Sequence, residues 1–270
     1  MPELPEVETI ARNLRPALVG RRVMSVRLLW ARTLEMPDAN QFQARTCGQT
    51  IHEIGRRGKF LIITLSTEYL LIHLRMSGDL RVEPDVGAAA THDRLIILLD
   101  DGNRLVFNDT RKFGRAWLVE DASSVVGGLG PEPLEDDFTP PILYQALHSR
   151  RRILKPLLLD QTFLAGLGNI YADESLYRAR LHPLTPSQMV TPVQAEALWR
   201  GIREALTEGI NRNGASIDWV YRGGDFQHYF NVYQRTGQPC LHCGTPIERI
   251  LVGQRGTHYC PTCQPLVYGN

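Results

Sequence analysis

Lysine is almost missing from this 270-residue chain: of 30 basic residues only Lys59, Lys112 and Lys155 are lysines, and the other 27 are arginines. Arginine's planar fork suits phosphate and base edges, although codon bias gives the same ratio. No run of about 18 apolar residues occurs, which excludes a membrane-spanning helix from the expectation. The N-terminus has neither the basic nor the apolar stretch of a secretory signal, so the expected location is the cytoplasm. Cysteine is absent between Cys47 and Cys240, and there are no repeats or low-complexity tracts. Net charge is only +1, which taken alone argues against a nucleic-acid protein. The distribution reverses that reading. Six acids and no base lie between Glu120 and Asp137, and setting them aside leaves 30 bases against 23 acids.

What the chain does have begins at its first ten residues, MPELPEVETI. Pro5 suits the first turn of a helix, where its missing N–H is unpaired anyway, and Glu6 and Glu8 complement the positive end of the dipole. Val7, Ile10, Ala11 and Leu14 recur at helical spacing, and Pro16 predicts a stop at Arg15. Pro2 and Glu3 fall outside this helix. A small second residue permits removal of Met1, which leaves a secondary amine beside a carboxylate; its reference pKa of about 8 keeps part of it unprotonated and nucleophilic. A processed, capped terminus fits the same ten residues.

From Val23 to Glu120 short apolar runs (KFLIITL, YLLIHL, RLIILL, RLVF) alternate with turn residues, and Asp101-Gly102 signals a hairpin, so an antiparallel β domain is expected. Residues 121–141 collect Gly, Pro and acid and read as a linker. Beyond them the pattern is helical, with Thr191-Pro192-Val193-Gln194 as a capping box and Gly214 as a stop.

The last 31 residues hold Cys240-x2-Cys243-x16-Cys260-x2-Cys263, the spacing of two metal knuckles joined by a hairpin. One structural Zn(2+) is expected; the alternative, two disulfides, is rare in the cytoplasm. Four thiolates close the site to water, so the metal shapes without catalysing, and His242 and His258 are bystanders. Arg255 sits at the expected hairpin tip, pointing either to a partner or to solvent.

PELPEVE at the terminus, RRGKFL (56–61), HLRMSG (73–78), NDTRKFG (108–114), GLGNIYADE (166–174) and the finger with QRGTHYC together resemble the bacterial formamidopyrimidine-DNA glycosylases, which remove oxidised purines such as 8-oxoguanine. The resemblance runs the length of the chain, in order. It implies an α+β fold: an N-terminal β-sandwich with its helix (1–130), a helical helix-two-turn-helix domain (131–235) and a four-cysteine zinc-finger hairpin (236–270). It also implies a monomer acting on double-stranded DNA that carries oxidised bases or abasic sites. Endonuclease VIII, which acts on oxidised pyrimidines, shares the architecture and the terminal proline, but usually has glycine where Leu4 stands. A non-enzymatic zinc-finger DNA-binding protein accounts for the finger and the arginines, not for the terminus. Thr110 departs from the proline of many members. The segment SIDWVYRGGDFQHYF, where the family closes a loop over the extruded base, is not matched.

Carried over by position, the resemblance makes Pro2 the nucleophile and Glu3 its proton-transfer partner, with Glu6 anchoring the terminus. Lys59, Asn169 and Arg255 would hold phosphates flanking the lesion. Asn169 also opens an expected helix, whose free N–H groups suit phosphate. Phe113 would wedge between base pairs, Met76 fill the void, and Arg111 bond the orphaned base, favouring cytosine; at extended spacing Arg111 and Phe113 would point the same way. The bland alternative is a core Phe beside a surface Arg. His73 and Tyr233 are candidates for DNA-backbone contact, with His73 equally readable as a core histidine. Lys155 is expected near the lesion or on a solvated helix face.

Overall fold

The structure, a computed structural model, describes residues 1–216 and 223–266. The chain forms two compact units: Met1–Gly128 with Ala215–Gly224, and Leu129–Gly214 with Asp225–Asn270.

The first unit opens with helix α1 (Leu4–Leu18), followed by strands β1 (Val23–Leu28) and β2 (Leu34–Met36), helix α2 (Ala39–Thr46), and strands β3 (Ile51–Arg57), β4 (Phe60–Leu65), β5 (Tyr69–His73), β6 (Gly78–Pro84), β7 (Asp93–Leu99), β8 (Asn103–Asp109) and β9 (Arg115–Val119). These strands make a four-stranded sheet ordered β1-β7-β8-β6 and a five-stranded sheet ordered β2-β9-β5-β4-β3. Alternating apolar residues of both sheets, among them Leu61, Ile63, Ile72, Ile97 and Phe107, share one core with α1. The hairpin expected at Asp101-Gly102 joins β7 to β8, with Gly102 at φ 82° and Asn103 N–H donating to Asp101 Oδ1 (3.0 Å). Among the described residues, one pairing is not antiparallel. The three-residue edge strand β2 runs parallel to β9, through Leu34 opposite Ala116.

Helix α1 also departs from expectation, continuing through Pro16 to Leu18. Proline removes one hydrogen bond in the last turn, but the turn buries Leu14 (4% exposed) and Leu18 (0%). Burying one leucine contributes about 2 kcal/mol, enough to offset a single net hydrogen bond.

A short helix α3 (Ser123–Val126) ends the first stretch of the first unit; the second unit holds α4 (Pro140–Ser149), α5 (Leu154–Leu159), α6 (Asn169–Arg178), α7 (Pro192–Asn211) and the hairpin β10 (Glu248–Val252) and β11 (Arg255–Tyr259). The capping box at Thr191 is made in both directions: Thr191 Oγ1 accepts from Gln194 N–H (3.3 Å), and Gln194 Oε1 from Thr191 N–H (2.9 Å). Helices α6 and α7 approach closely because two glycines of α7 face α6. A Cβ on Gly201 would lie 2.8 Å from the carbonyl oxygen of Ser175, and one on Gly209 2.5 Å from the ring of Tyr171. Among the described residues no helix is long and apolar enough to cross a membrane. The segment expected to cover an extruded base spans residues 216–230, of which 217–222 lie outside the described residues.

Candidate active site

The terminus is held more firmly than helix-start rules alone require. Pro2 is buried while Met1 is 42% exposed. Glu3, 3% exposed, is the N-cap of α1, and its backbone N–H donates to Glu6 Oε2 (2.8 Å). The other oxygen, Glu6 Oε1, accepts from the backbone N–H of Ala215 (2.8 Å), a residue 209 positions away. Glu6 therefore ties the start of α1 to the chain at 215, a constraint invisible to local reading. While Met1 is attached, the Pro2 nitrogen is a tertiary amide whose lone pair is delocalised. Removing Met1 makes it an amine at a fixed place beside the Glu3 carboxyl.

Lys59 follows Gly58 (φ 56°) in the tight turn between β3 and β4 and is 6% exposed. In the register of β4 with β5 its neighbour Phe60 faces His73, whose ring packs edge-on against Phe60 at 4.7 Å. His73 is 8% exposed. Its Nδ1 accepts from the backbone N–H of Arg75 (3.0 Å), which places the ring proton on Nε2. Burial, with smaller contributions from Arg75 and Lys59, lowers its pKa from 6.5 to about 3. The unfolded chain takes up this proton as pH falls through 6.5 and the folded one does not, so the stability this neutral ring confers is complete above 6.5 and lost towards 3. Thermal melts of wild type between pH 7 and 4 should show a steeper loss than those of His73→Asn, which keeps an acceptor but does not titrate. Parallel curves would contradict this.

Two loops present the residues expected to enter the DNA stack. Met76 is 42% exposed and Phe113 52% exposed, so the core-Phe alternative fails. Arg111 Nη1 approaches Met76 Sδ at 3.6 Å, which brings the void-filling and base-reading candidates together. The extended-spacing argument for Arg111 and Phe113 does not hold, because Lys112 between them is left-handed (φ 62°), with its Nζ 4.0 Å above the Trp30 ring. The loops are joined by Asp109, which sequence reading missed. Its buried carboxylate accepts from Ser77 Oγ, from Arg111 N–H (3.2 Å) and from Gly114 N–H (2.7 Å). An exposed Phe113 predicts that Phe113→Ala leaves melting nearly unchanged but impairs excision from duplex DNA. Arg111→Ala should cut excision and blur the preference for cytosine over adenine opposite the lesion. Wild-type preference in Arg111→Ala would remove the base-reading role.

In the second unit the structure gathers Lys155, Asn169, Tyr233 and Arg255 around the start of α6. Asn169 Nδ2 donates to the carbonyl oxygen of Gly256 (2.9 Å), tying the helix start to the hairpin beside the exposed Arg255. Lys155 does not lie on the solvated helix face offered as its alternative. It is fully buried, ion-paired to Asp173, and donates to the Asn169 carbonyl oxygen (3.3 Å). An isolated buried ammonium is costly, and Asp173 supplies the compensating charge. Asp173 Oδ2 also accepts from His258 N–H (3.0 Å), and the His258 ring packs 5.0 Å from that of Tyr233. Glu174, fully buried, takes the backbone N–H groups of Asn231 (3.0 Å), Val232 (2.9 Å) and Tyr233 (3.0 Å) on one oxygen. Asp173 and Glu174 lie inside GLGNIYADE but gave no sequence signal, since their partners are 18 to 85 residues away.

The four cysteines converge: their Sγ atoms all lie within 4.8 Å of one another, with Cys240–Cys263 at 3.8 Å and Cys243–Cys260 at 3.5 Å. A tetrahedron with Zn–S bonds of about 2.3 Å has edges of about 3.8 Å, so the donor set fits zinc. Burial opposes ionisation of Cys240, yet the Tyr177 hydroxyl and the backbone N–H groups of Cys243 and His242 bring its pKa down to about 6. The His242 ring contacts Arg180 (3.3 Å) and the His258 ring contacts Asp173, and neither ring belongs to the four-thiol cluster. Chelating the metal, or Cys243→Ser, should lower DNA affinity while the first unit keeps its melting transition. Global melting on chelation would contradict this.

Three family profiles match in sequence order: the formamidopyrimidine-DNA glycosylase N-terminal domain over residues 1–116, the formamidopyrimidine-DNA glycosylase H2TH domain over 129–220, and the zinc finger found in FPG and IleRS over 237–266. The formamidopyrimidine-DNA glycosylase of Chloroflexus aurantiacus is 48% identical, covering 98% of each chain, and that of Enterococcus faecalis is 41% identical with the same coverage. Among solved structures, Lactococcus lactis Fpg bound to DNA containing an abasic site is 35% identical at a TM-score of 0.92, covering 98% of this chain and 100% of that one. MutM in complex with DNA containing carbocyclic 8-oxo-G is 35% identical at a TM-score of 0.91, with the same coverage. Alike in sequence and in fold along nearly its whole length, the chain belongs to the formamidopyrimidine-DNA glycosylase family.

Proposed function

We propose that this protein is a base-excision-repair glycosylase and AP lyase that removes 8-oxoguanine and formamidopyrimidines from duplex DNA, working as a monomer in the cytoplasm. The observation that carries the reading is the Pro2-Glu3 pair, buried at the start of a helix whose Glu6 is bonded both to the Glu3 backbone and to Ala215. Once Met1 is removed, the Pro2 nitrogen attacks C1′ of the lesion nucleotide, the C1′–N bond breaks, and the base departs with a proton. The opened sugar stays attached as an iminium with no N–H proton to lose. Its charge acidifies the C2′ proton; removing that proton expels the 3′ phosphate, and a second elimination expels the 5′ phosphate. Glu3 moves protons at the ring oxygen and in the eliminations.

In this reading residues 1–130 carry the chemistry, 131–235 the helical hold on DNA, and 236–270 the finger. Lys59, Asn169 and Arg255 bind phosphates near the lesion, His73 and Tyr233 lend backbone contacts, and the buried Lys155 supports the start of α6. Zinc, when bound by Cys240, Cys243, Cys260 and Cys263, shapes the hairpin that presents Arg255. Excision is compared on duplexes holding 8-oxoguanine opposite cytosine and thymine glycol opposite adenine. Faster removal of 8-oxoguanine is expected; preference for thymine glycol would move the protein to pyrimidine lesions.

A further inference from the structure

The two loops that carry Met76 and Arg111 are not independent. Asp109 ends β8 opposite Gly78, the first residue of β6, and is 1% exposed. One carboxylate oxygen takes the Ser77 hydroxyl and the Arg111 N–H; the other takes the Gly114 N–H. Ser77 Oγ accepts from the same Arg111 N–H (3.1 Å), so the loop at 110–114 is gripped at both ends and the loop at 74–78 is gripped at Ser77. The backbone of Asp109 is fixed as well: its carbonyl oxygen accepts from Arg94 Nε (2.8 Å), and its N–H donates to the His92 carbonyl oxygen (2.9 Å). At Gly114 a Cβ would fall 2.3 Å from the Phe107 ring, so the backbone there runs hard against the core and cannot drift. Met76 Sδ and Arg111 Nη1 meet above this frame.

We infer that Asp109 is a positioning residue for opposite-base discrimination: its carboxylate sets the spacing between the loops that present Met76 and Arg111, and so aims the Arg111 fork at the base across from the lesion. The inference rests on the glycosylase reading above. A carboxylate is required because three donors converge on two oxygens. An amide has one oxygen, and its NH2 would face either Gly114 N–H or the Ser77 and Arg111 donors, donor against donor. A forked contact that discriminates bases tolerates little misalignment, so a small shift of the loop should be read first as lost discrimination.

The test measures three quantities on Asp109→Asn and Ser77→Ala, both as zinc-loaded full-length protein. The first is the single-turnover ratio of 8-oxoguanine excision opposite cytosine to that opposite adenine. The second is borohydride trapping on a single-stranded abasic oligonucleotide, which has no opposite base. The third is thermal unfolding. Asp109→Asn should reduce the cytosine-to-adenine ratio by about tenfold, one well-made base contact being of that order. Ser77→Ala should reduce it less, and both should trap the single strand at the wild-type rate. A wild-type ratio in Asp109→Asn overturns the inference, as does single-strand trapping that falls in step with duplex excision, which would mark a general structural role. Where Asp109→Asn does not fold, Ser77→Ala decides by the same ratio. Failure of the wild-type enzyme to trap abasic DNA would overturn the glycosylase-lyase reading instead.

Discussion

With the Pro2 amine acetylated, borohydride traps no covalent adduct on abasic DNA, strand cleavage falls by several orders of magnitude, and binding to the same duplex persists. This outcome follows from the position of the nitrogen. The terminus is buried and its helix start is fastened by two hydrogen bonds to Glu6, so acetylation removes the lone pair without removing the DNA-binding surface. An amide nitrogen has no basic lone pair to offer, whereas a free amine with a reference pKa of about 8 is partly neutral at physiological pH. Adduct formation with a blocked terminus would transfer the role to a lysine. Lys59 and Lys155 are both buried, so either would become the suspect.

Glu3→Gln should bind lesion DNA as tightly as wild type and lose turnover by about 10²- to 10⁴-fold, the usual contribution of a positioned proton-transfer group. The substitution preserves shape: the Glu3 backbone N–H still donates to Glu6, and the glutamine amide oxygen can still accept the Glu6 backbone N–H that the Glu3 carboxyl takes in the capping box. Geometry is therefore retained and proton transfer is not. Single-turnover excision of 8-oxoguanine, set beside affinity for a non-cleavable abasic analogue, checks this; unchanged excision would remove Glu3 from the mechanism.

The terminus was legible because its signals are local: Pro5 and Glu6 mark a helix start, and Pro2-Glu3 are left over in front of it. The metal site was legible for the same reason, four thiols at a fixed spacing. Long-range partners left no such trace. Pro16 reads as a stop unless Leu18 is known to be buried. Alternation put Arg111 and Phe113 on one side of a strand, but Asp109 draws Arg111 N–H and Gly114 N–H onto one carboxylate, and Lys112 turns left-handed within that loop. Lys155 reads as part of a basic helix face because Asp173, the charge that allows it inside, is 18 residues further on. Asp109 joins two loops only through Ser77, 32 residues away, and the donors of Glu174 lie up to 59 residues away, so no spacing rule reaches either role.

The central claim is that the chemistry resides on the Pro2 nitrogen, and locating the trapped bond tests it most directly. Wild-type protein is reduced with borohydride on 8-oxoguanine DNA, digested with nuclease and trypsin, and the sugar-bearing peptide is sequenced by mass spectrometry. The expected adduct lies on the peptide PELPEVETIAR, residues 2–12, lacking Met1 and carrying the sugar remnant on its first residue. An adduct on a peptide containing Lys59, Lys112 or Lys155, with the N-terminal peptide unmodified, would contradict the account.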